Sequence, residues 1–376
     1  MSEHPHRVQG LAHDEVIADW PPIEAPALAG LAHHFRQLAD AGPIRWHSPR
    51  PFSAAAIVDT RHGPLFVKRH SPGVRSAATL AEEHRFIDHL RRHGIPVVAL
   101  LPADDGCTAV EWNGWTWEVH GIGAGLDLYR DTASWTPVEG VTRAEQAGRT
   151  LARLHQAAGS YRGAQRSTHL LVARDDLIRA DDALSVLQAQ LPARPALAAY
   201  LARRDWRSEL SAQVVPLQAP LAAALRDEPR MWAHNDWHVS NLLWSGTDAN
   251  ARVSTVLDFG LASPTSALFD LATAIERNAI AWLAPGGPRA HADLALALLR
   301  GYRQERPLQA AQVRLLAALL PVVHFDFALS EVEYFQGPCG NPESADVAYD
   351  TFLIGHARWF GSTDGQALLA ALRAAA

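Results

Sequence analysis

Apolar and polar positions alternate in short runs over the first third of the chain and follow a helical period over most of the rest. Residues 1–27 are rich in Pro, His and acidic residues and are expected to form a lead-in segment. A helical pattern over 28–41 ends at Gly42-Pro43, a typical stop signal. Three short apolar runs follow, at 44–46, 54–58 and 64–68. Runs of this length between turn residues predict a small antiparallel meander.

The meander is followed by one helix and then by further strands. The helical pattern of Ala77–His93 ends at Gly94, with Pro96 shortly after it. Further strands are predicted at 97–103, 108–112 and 115–119. The last two are joined by Asn113-Gly114, a dipeptide that favours a type I′ hairpin turn. Residues 28–120 are therefore predicted to form a small lobe with an antiparallel sheet and one helix.

Beyond a glycine-rich joint at Gly121–Gly125, the chain becomes rich in Ala and Leu and mainly helical. Thr142–Glu145 has the pattern of a capping box and predicts the start of a helix that runs through His155. Later helical patterns cover 292–305, 309–334 and 346–360. Two strand-like pieces, Met231–His234 and Val253–Asp258, flank a polar loop. The pattern predicts an α+β protein with two lobes, of which the second, over 121–376, is larger and mainly helical.

Composition and charge exclude several other classes of protein. The chain has 376 residues, 48% hydrophobic and 20% charged, which is typical of a globular protein. A formal charge of -6 without a basic stripe argues against a nucleic-acid partner. Arg, Asp or Pro breaks every long apolar run, so no membrane span is expected. The start lacks a basic-then-apolar leader, which favours a cytoplasmic location, and nothing indicates an oligomeric state.

Lysine is used once in this chain. Among 34 Lys and Arg residues, Lys68 is the single lysine. An ammonium is a compact point charge, which the planar guanidinium does not replace at a cramped phosphate site. A surviving surface lysine would explain the residue equally well, and only the rest of the sequence can decide between the two interpretations.

The loop between the two strand-like pieces carries the clearest chemical signal. It contains His234, Asp236 and Asn241, and Asp258-Phe-Gly ends the second strand-like piece. A carboxylate can accept the proton of a hydroxyl, while an amide and a second carboxylate offer the hard oxygens that Mg²⁺ prefers. Asp-Phe-Gly alone is common by chance. Together with His-x-Asp-x4-Asn at this distance, it has the spacing of the catalytic residues of kinases.

The pattern resembles the aminoglycoside phosphotransferase and choline kinase family, which has the protein-kinase-like fold. That family typically has His-Gly-Asp-x-His-x-x-Asn in its catalytic loop, and this chain has HNDWHVSN at 234–241. Asn235 and Trp237 replace the commoner Gly and Leu. The resemblance runs from about residue 44 to about residue 278. It implies a bilobal kinase that uses a nucleoside triphosphate and Mg²⁺.

The resemblance also implies roles for individual residues. Asp236 would be the catalytic base, and Asn241 and Asp258 would hold Mg²⁺. Lys68 would hold the α- and β-phosphates and pair with Glu83 on the following helix. The hinge that receives the nucleotide base would consist of Glu118, Val119 and His120. The residues that support the catalytic loop would be His234, His238 and Asp270.

The turn expected to cover the nucleotide departs from the family pattern. Residues 48–56 read SPRPFSAAA and contain no glycine, although close approach of backbone to phosphate usually needs glycine. The hydroxyls of Ser48 or Ser53 would supply the contacts instead. Both ATP and GTP therefore stay open as the phosphate donor.

Acidic residues in a C-terminal apolar stretch are candidates for the acceptor site. The run VVHFDFALSEVEYF contains Asp326, Glu331 and Glu333. Buried acids without a cation are costly, which favours a wet pocket, but a solvated stripe on an amphipathic helix would explain them about equally well. Trp237 is a further candidate for the acceptor face, and a place in the protein core is the simpler interpretation.

The sequence thus favours a small-molecule kinase that transfers the γ-phosphate of ATP or GTP, with Mg²⁺, to a hydroxyl of a polar, amine-bearing acceptor. A homoserine-kinase-like enzyme and a stress-type Ser/Thr protein kinase have the same fold and stay open. Asp270 follows Gly260 by only ten residues, whereas protein kinases usually have a longer activation segment there. A pseudokinase would be expected to lose Lys68, Asp236 or Asp258, and all three are present.

Overall fold

The computed structural model describes residues 18–48, 52–130, 132 and 135–376, which form two lobes. The strands of the first lobe are β1 (Ile44–His47), β2 (Ala54–Val58), β3 (Leu65–His70), β4 (Val110–Trp112) and β5 (Trp115–Gly121). They form an antiparallel sheet in the order β1-β2-β3-β5-β4. β3 lies in the middle of this sheet with β5 beside it, and Lys68 of β3 is directly opposite Glu118 of β5. The predicted antiparallel small lobe is confirmed.

Residues 97–103, predicted as a strand, form isolated bridges instead. Pro96 precedes this segment and Pro102 lies within it, and proline has no N–H to donate to a ladder. The segment still runs beside β5, because the Leu101 N–H donates to the Val119 carbonyl over 2.9 Å. The strand prediction was therefore wrong in type, although the segment packs where a strand would.

Two helices accompany the sheet, α1 (Ala25–Leu31) and α2 (Ala77–Arg92). The first was predicted over 28–41. It begins earlier, because Pro26 fixes its first turn, and the backbone is already extended at Phe35. The second begins where it was predicted, because the Ser76 hydroxyl caps it by accepting the Thr79 N–H over 3.2 Å.

The second lobe is mainly helical, with three short ribbons. Its helices are α3 (Val141–Ala158), α4 (Asp176–Arg179), α5 (Ala183–Gln190), α6 (Pro195–Leu201), α7 (Trp206–Gln213), α8 (Val215–Arg226), α9 (Ala267–Ala279), α10 (Ala292–Glu305), α11 (Ala310–Leu319), α12 (Phe325–Gln336), α13 (Pro342–Val347), α14 (His356–Trp359) and α15 (Thr363–Ala374), with a π-helical stretch at Ala348–Gly355. The ribbons pair β6 (Met231–Ala233) with β9 (Ser263–Thr265), β7 (Leu242–Trp244) with β8 (Val253–Val256), and β10 (Ile280–Ala281) with β11 (Arg289–Ala290). The first two ribbons frame the polar loop picked out from the sequence.

The start of α3 differs from the predicted capping box at Thr142–Glu145. The residue before the helix is Gly140, and no side chain caps the first turn. Gly140 has a φ of +85°, which glycine adopts without the penalty that other residues meet. The chain can therefore turn into the helix two residues earlier, and Thr142 lies within the first turn.

The helix predicted over 309–334 is divided into α11 and α12. Pro321 lies between them, where the chain forms a 3-10 turn. Proline cannot donate to the preceding helical turn, which explains the break. The whole stretch Ala310–Gln336 is long and apolar enough to cross a membrane, contrary to expectation, but 89% of its most apolar window is buried inside the lobe. It therefore forms part of the core of the second lobe.

A short segment, Ile122–Gly125, joins the two lobes. The chain leaves the sheet after Gly121 and then pairs with β7, where the Leu126 N–H donates to the Trp244 carbonyl over 2.7 Å. Gly125 has a φ of +113° and lies so close to Ser254 that a side chain would collide there. The joint is thus fitted tightly against the β7–β8 ribbon.

Candidate active site

The loop between β6 and β7 brings Asp236 beside Asn241. The Asn241 amide nitrogen donates to the main-chain carbonyl of Asp236 over 2.9 Å and to its carboxylate over 3.1 Å. The other carboxylate oxygen of Asp236 lies 2.8 Å from the Arg277 guanidinium, and 17% of the Asp236 side chain is exposed. The carboxylate is therefore held in one direction and is still accessible to a small hydroxyl.

Below this loop, Asp270 at the start of α9 accepts backbone hydrogen bonds. Its fully buried carboxylate accepts the N–H groups of His234 and Asn235, each over 2.9 Å. His155 of α3 donates to the same carboxylate over 3.0 Å. Burial lowers the pKa of His155, so its neutral ring donates from Nε2 and accepts the Tyr302 hydroxyl at Nδ1. The backbone on either side of the His234–Asn235 peptide is thus anchored from below.

Asn235 explains why this chain can lack the family's glycine. Its φ is +62°, in the left-handed region that Asn tolerates better than most residues. Its amide nitrogen donates to the Ser263 carbonyl over 3.2 Å, and its amide oxygen accepts the Thr265 hydroxyl over 2.6 Å. The side chain therefore stabilises the turn that glycine would otherwise allow, and it ties the loop to β9.

Trp237 does not line the space around Asp236. Its side chain is fully buried and packs edge-on against the ring of His234, with 5.4 Å between the centroids. Asn278 of α9 donates to the Trp237 carbonyl over 2.7 Å and accepts the Val239 N–H over 3.0 Å. Contrary to its candidacy as an acceptor residue, Trp237 is a core residue.

The two histidines of the loop make local contacts. His234 Nδ1 accepts the Asp236 N–H over 3.2 Å, while its Nε2 donates to the Leu257 carbonyl over 2.9 Å. His238 precedes the 3-10 turn Val239–Asn241, and its Nδ1 lies 2.7 Å from the Ser240 hydroxyl. These contacts shape the loop between Asp236 and Asn241.

Lys68 meets Asp258 across the two lobes, and not Glu83 as expected. The Lys68 ammonium lies 3.5 Å from the Asp258 carboxylate. Burial alone would lower the pKa of Lys68, but the charges of Asp258, Glu118 and Glu83 outweigh it and raise that pKa. The Glu83 carboxylate lies 3.6 Å from the guanidinium of Arg166, a residue far from it in the sequence. Glu83 therefore pairs with this arginine and makes no direct ion pair with Lys68. The direct Lys68–Glu83 pair is therefore replaced by a lysine among three carboxylates.

Glu118 is a buried residue of β5 that contacts three histidines, and it lies before the joint in the chain. Its carboxylate accepts one hydrogen bond from each of three histidines, with distances of 2.8, 2.7 and 2.9 Å to His70, His84 and His120. Burial would raise the pKa of Glu118, but the histidines lower it well below its usual range. Glu118, Val119 and His120 all belong to the end of β5, directly before the joint, and their role in receiving the nucleotide base stays a prediction.

The predicted nucleotide-covering turn is described only in part, because residues 49–51 lie outside the described ranges. Ser48 is tied to the sheet by a 2.8 Å bond from its N–H to the Ala55 carbonyl. Ser53 lies directly before β2. Between them, Phe52 packs edge-on against Tyr334 of α12, with 5.3 Å between the ring centroids. The turn therefore contacts the second lobe.

Of the three acidic acceptor candidates on α12, only Glu331 lies near Asp236. Its carboxyl is buried and interacts electrostatically with Arg277 and Asp236, and burial raises its pKa to about 8. Asp326 instead accepts the Leu177 N–H of α4 over 3.2 Å. Glu333 accepts the Arg194 guanidinium at 2.6 Å. Asp326 and Glu333 therefore accept hydrogen bonds from buried donors of the second lobe and do not lie near Asp236.

Arg277 and Trp135 were not predicted from the sequence. The Arg277 guanidinium stacks on the Trp135 ring at 4.1 Å from its centroid while it contacts Asp236. The Trp135 ring also lies 6.4 Å from that of His238. Arg277 follows Asp270 by two helical turns of α9, so a basic residue at that spacing was the available signal. No motif marks Trp135.

The residues present fit a magnesium ion. Because the Asn241 amide nitrogen is used on Asp236, its amide oxygen is the atom that can bind a cation. The Leu257 N–H donates to the Asn241 carbonyl over 2.8 Å, which brings the next residue, Asp258, to the same edge. The Asp258 side chain is 47% exposed. One amide and one carboxylate oxygen are donors that Mg²⁺ prefers.

Residues 21–308 match the phosphotransferase enzyme family, and the chain belongs to that family. The expected family is thereby confirmed. The match covers the first lobe, the joint and the second lobe through α10. The loop around Asp236 and the residues that brace it all lie inside it.

Curated relatives and solved structures extend this comparison. A homoserine kinase of Methylocella silvestris is 29% identical over 231 residues, which cover 57% of this chain and 63% of that protein. One from Burkholderia ambifaria is 27% identical over 254 residues, or 66% of this chain and 68% of that protein. The chain thus spans less than two thirds of the length of the first of these relatives.

Among solved structures, a microcompartment-associated aminopropanol kinase has a TM-score of 0.59 and 16% identity, covering 92% of this chain and 100% of that chain. A Plasmodium vivax ethanolamine kinase has a TM-score of 0.53 and 13% identity, covering 81% of this chain and 79% of that chain. At these identities the likeness establishes the fold. The bilobal kinase-like fold expected from the sequence is therefore confirmed.

Proposed function

We propose that the protein transfers the γ-phosphate of a nucleoside triphosphate, ATP or GTP, to a hydroxyl of a small amine-bearing acceptor. The observation that carries this proposal is the Asp236 carboxylate, fixed by Arg277 at 2.8 Å and by Asn241 at 3.1 Å, with part of its surface open. A carboxylate in that position can accept the proton of a hydroxyl as the hydroxyl attacks phosphorus.

Each of the surrounding residues has a separate task in this proposal. Asp236 aims the acceptor hydroxyl and takes its proton. Lys68 binds the α- and β-phosphates with its ammonium, and Asn241 and Asp258 hold Mg²⁺. The bound Mg²⁺ neutralises charge on the phosphates. Asp270 keeps the loop backbone in place, so that the direction of the Asp236 carboxylate does not change during the reaction.

The acceptor is proposed to carry an amine because Glu331 lies near Asp236. Once ionised, a buried carboxylate at that place would bind an ammonium, and Arg277 and Trp135 would bound the same space. Homoserine, aminopropanol and ethanolamine, the compounds named for the similar kinases, each combine one hydroxyl with one amine. An acceptor of that size fits the proposal best.

A protein acceptor is less well supported. Pro264, in the middle of β9, follows Asp258 by only six positions, and α9 begins at Ala267. A protein kinase needs a longer segment there to seat a peptide. The cytoplasm is proposed as the location, since the proposed substrates and the nucleotide are found there.

The test is turnover of the full chain with ATP or GTP, Mg²⁺ and a panel of acceptors. The panel holds ethanolamine, aminopropanol, homoserine, choline, an aminoglycoside and a serine peptide. Nucleoside diphosphate release is followed by a coupled assay, and the phosphate ester is identified by ³¹P NMR. We expect at least one amino alcohol or hydroxy amino acid to be phosphorylated, and the serine peptide to be inert.

Asp236→Asn and the exposed control Asp227→Asn separate chemistry from folding. A missing general base costs about 10²–10⁴-fold in rate, so Asp236→Asn should lose at least about 100-fold in kcat while nucleotide binding persists. Asp227→Asn should keep wild-type kcat. Nucleotide binding without transfer to any acceptor would contradict the proposal and favour a pseudokinase. Turnover of Asp236→Asn within about threefold of wild type would contradict the base assignment.

A further inference from the structure

A second cluster of potential ligands lies in the second lobe, away from Asn241 and Asp258. It consists of Glu276 of α9, His324 directly before α12, and His356 at the start of α14. Their exposed fractions are 0%, 6% and 3%. One ligand atom from each lies within 4.8 Å of the others. We propose that this cluster is a binding site for a divalent transition metal ion, with Zn²⁺ as the expected occupant.

The polar atoms of Glu276 and His356 lack well-formed hydrogen bonds. Both carboxylate oxygens of Glu276 and both ring nitrogens of His356 are buried, and within the described part of the chain none makes a hydrogen bond of normal length and angle, although the His356 ring approaches the Pro321 carbonyl and the Glu276 carboxylate approaches His324. Buried polar groups are almost always hydrogen-bonded, because an unpaired one costs free energy on folding. An ionised carboxylate at a fully buried position needs compensation most of all. A bound cation would supply it.

The distances within the cluster match ligands that share an ion. His324 Nε2 lies 3.4 Å from one Glu276 oxygen, and His356 Nε2 lies 3.8 Å from the other. A normal N–H···O bond is about 2.7–3.2 Å long, so both contacts are too long for one. Tetrahedral Zn²⁺, about 2.0–2.1 Å from its nitrogen and oxygen ligands, holds neighbouring ligand atoms about 3.3 Å apart.

The cluster of Glu118 with His70, His84 and His120 in the first lobe (the Glu118 cluster) differs from the Glu276 cluster in its distances. There each of three histidines approaches the carboxylate within 2.7–2.9 Å, which is the length of a hydrogen bond. That cluster is therefore satisfied by protons alone. The Glu276 cluster has gaps of the size of an ion and unpaired atoms around them.

The chemistry of the ligands selects the metal. Two imidazoles and one carboxylate favour Zn²⁺, Co²⁺ or Ni²⁺, whereas Mg²⁺ prefers oxygen ligands only. Arg277 is the next residue after Glu276, but its charge is matched by Asp236 at 2.8 Å. The positive neighbour therefore does not exclude a cation.

The site would connect three helices around the proposed acceptor space. α9 carries Asp270 and Arg277, while α12 carries Glu331. The ring of Trp135, on which Arg277 stacks, lies 6.2 Å from the ring of His324. A metal ion would thus hold α9, α12 and α14 together one layer behind Asp236. This inference does not depend on the proposed reaction.

The test is the metal content of the full chain, purified without a histidine tag. The protein is incubated with Zn²⁺ in excess Mg²⁺, desalted and measured by inductively coupled plasma mass spectrometry. We expect about one zinc per chain, since the three ligands form a single site. With Co²⁺ instead, visible absorption bands of a tetrahedral site should develop. Less than about 0.1 equivalent of zinc in the wild-type protein would overturn the proposal.

Variants locate the ion. Glu276→Gln keeps the side-chain volume and should lose the zinc and the Co²⁺ bands, as should His356→Gln. His84→Gln, which opens the Glu118 cluster, and the exposed His62→Gln should both keep them, and so should Asp258→Asn. Zinc retained in Glu276→Gln, or lost in His84→Gln or Asp258→Asn, would overturn the assignment. The melting temperature should rise with Zn²⁺ in wild type and stay unchanged in Glu276→Gln.

Discussion

Replacing Asp270 by Asn should destabilise the protein strongly, because it changes one atom of a fully buried carboxylate that braces the loop. The carboxylate accepts three hydrogen bonds, two from backbone N–H groups over 2.9 Å and one from His155 over 3.0 Å. In Asn, one of the two oxygens becomes an NH₂ group. The least costly orientation turns this group toward the Asn235 N–H, so that two donors face each other in a fully buried place.

The magnitude follows from that geometry. A hydrogen bond to a charged group contributes about 1.5–3 kcal/mol, and a buried donor left unpaired costs about 1–3 kcal/mol. The sum for Asp270→Asn is about 2.5–6 kcal/mol of unfolding free energy. For a protein of this size we expect the melting temperature to fall by about 3–8 °C.

The assay is thermal unfolding followed by circular dichroism, with turnover measured well below the melting temperature. The control is Asp293→Asn, an exposed carboxylate in the first turn of α10, which should shift the melting temperature by less than about 2 °C. Asp270→Asn should also lower kcat more than it raises KM for the nucleotide, because the loop that aims Asp236 loosens. A melting temperature within about 2 °C of wild type would refute the argument from hydrogen bonds.

Three further predictions concern other residues of the site. Asn235→Gly should be more stable than Asn235→Ala by about 1 kcal/mol of unfolding free energy, because alanine is strained at a φ of +62° whereas both variants lose the hydrogen bond from Thr265. Denaturant unfolding should therefore give Asn235→Gly the higher midpoint, and equal midpoints would contradict this. Lys68→Arg should lose at least about tenfold in kcat/KM with an unchanged melt, whereas Arg91→Lys should lose neither. Because burial raises the pKa of Glu331 to about 8, kcat/KM for an amine acceptor should rise as the pH increases through that value, and Glu331→Gln should flatten the profile; an unchanged profile would contradict the role of Glu331.

The fold could be predicted because its signals are local. The Asn113-Gly114 hairpin, the Ser76 cap and the alternation of strands with one helix each depend on residues close together in the chain. Where proline or glycine acts on the backbone over a few residues, the observed element boundaries differ from the predicted ones. Pro321 and Gly140 both moved a predicted boundary for that reason.

The site was predictable only where its residues lie in one loop. Asp236 and Asn241 are five residues apart, so their spacing alone places them in contact. The contact of Asp236 with Arg277 depends on the packing of α9 under the loop. The replacement of the Lys68–Glu83 pair depends on Arg166, which lies more than eighty residues from Glu83. No pattern along the sequence determines such long-range partners.

Because the chain has a single lysine, the contact between the lobes can be probed by chemical labelling of its amine. Amine-reactive reagents attack only the uncharged amine, and Lys68 is the one side chain in the chain that carries an amine. While Asp258 lies 3.5 Å away and the neighbouring carboxylates raise the pKa of Lys68, that amine stays charged and slow to react. Any movement that separates the lobes would break this contact. Acylation of Lys68, located by mass spectrometry of the peptide that contains it, would therefore count how often the lobes open.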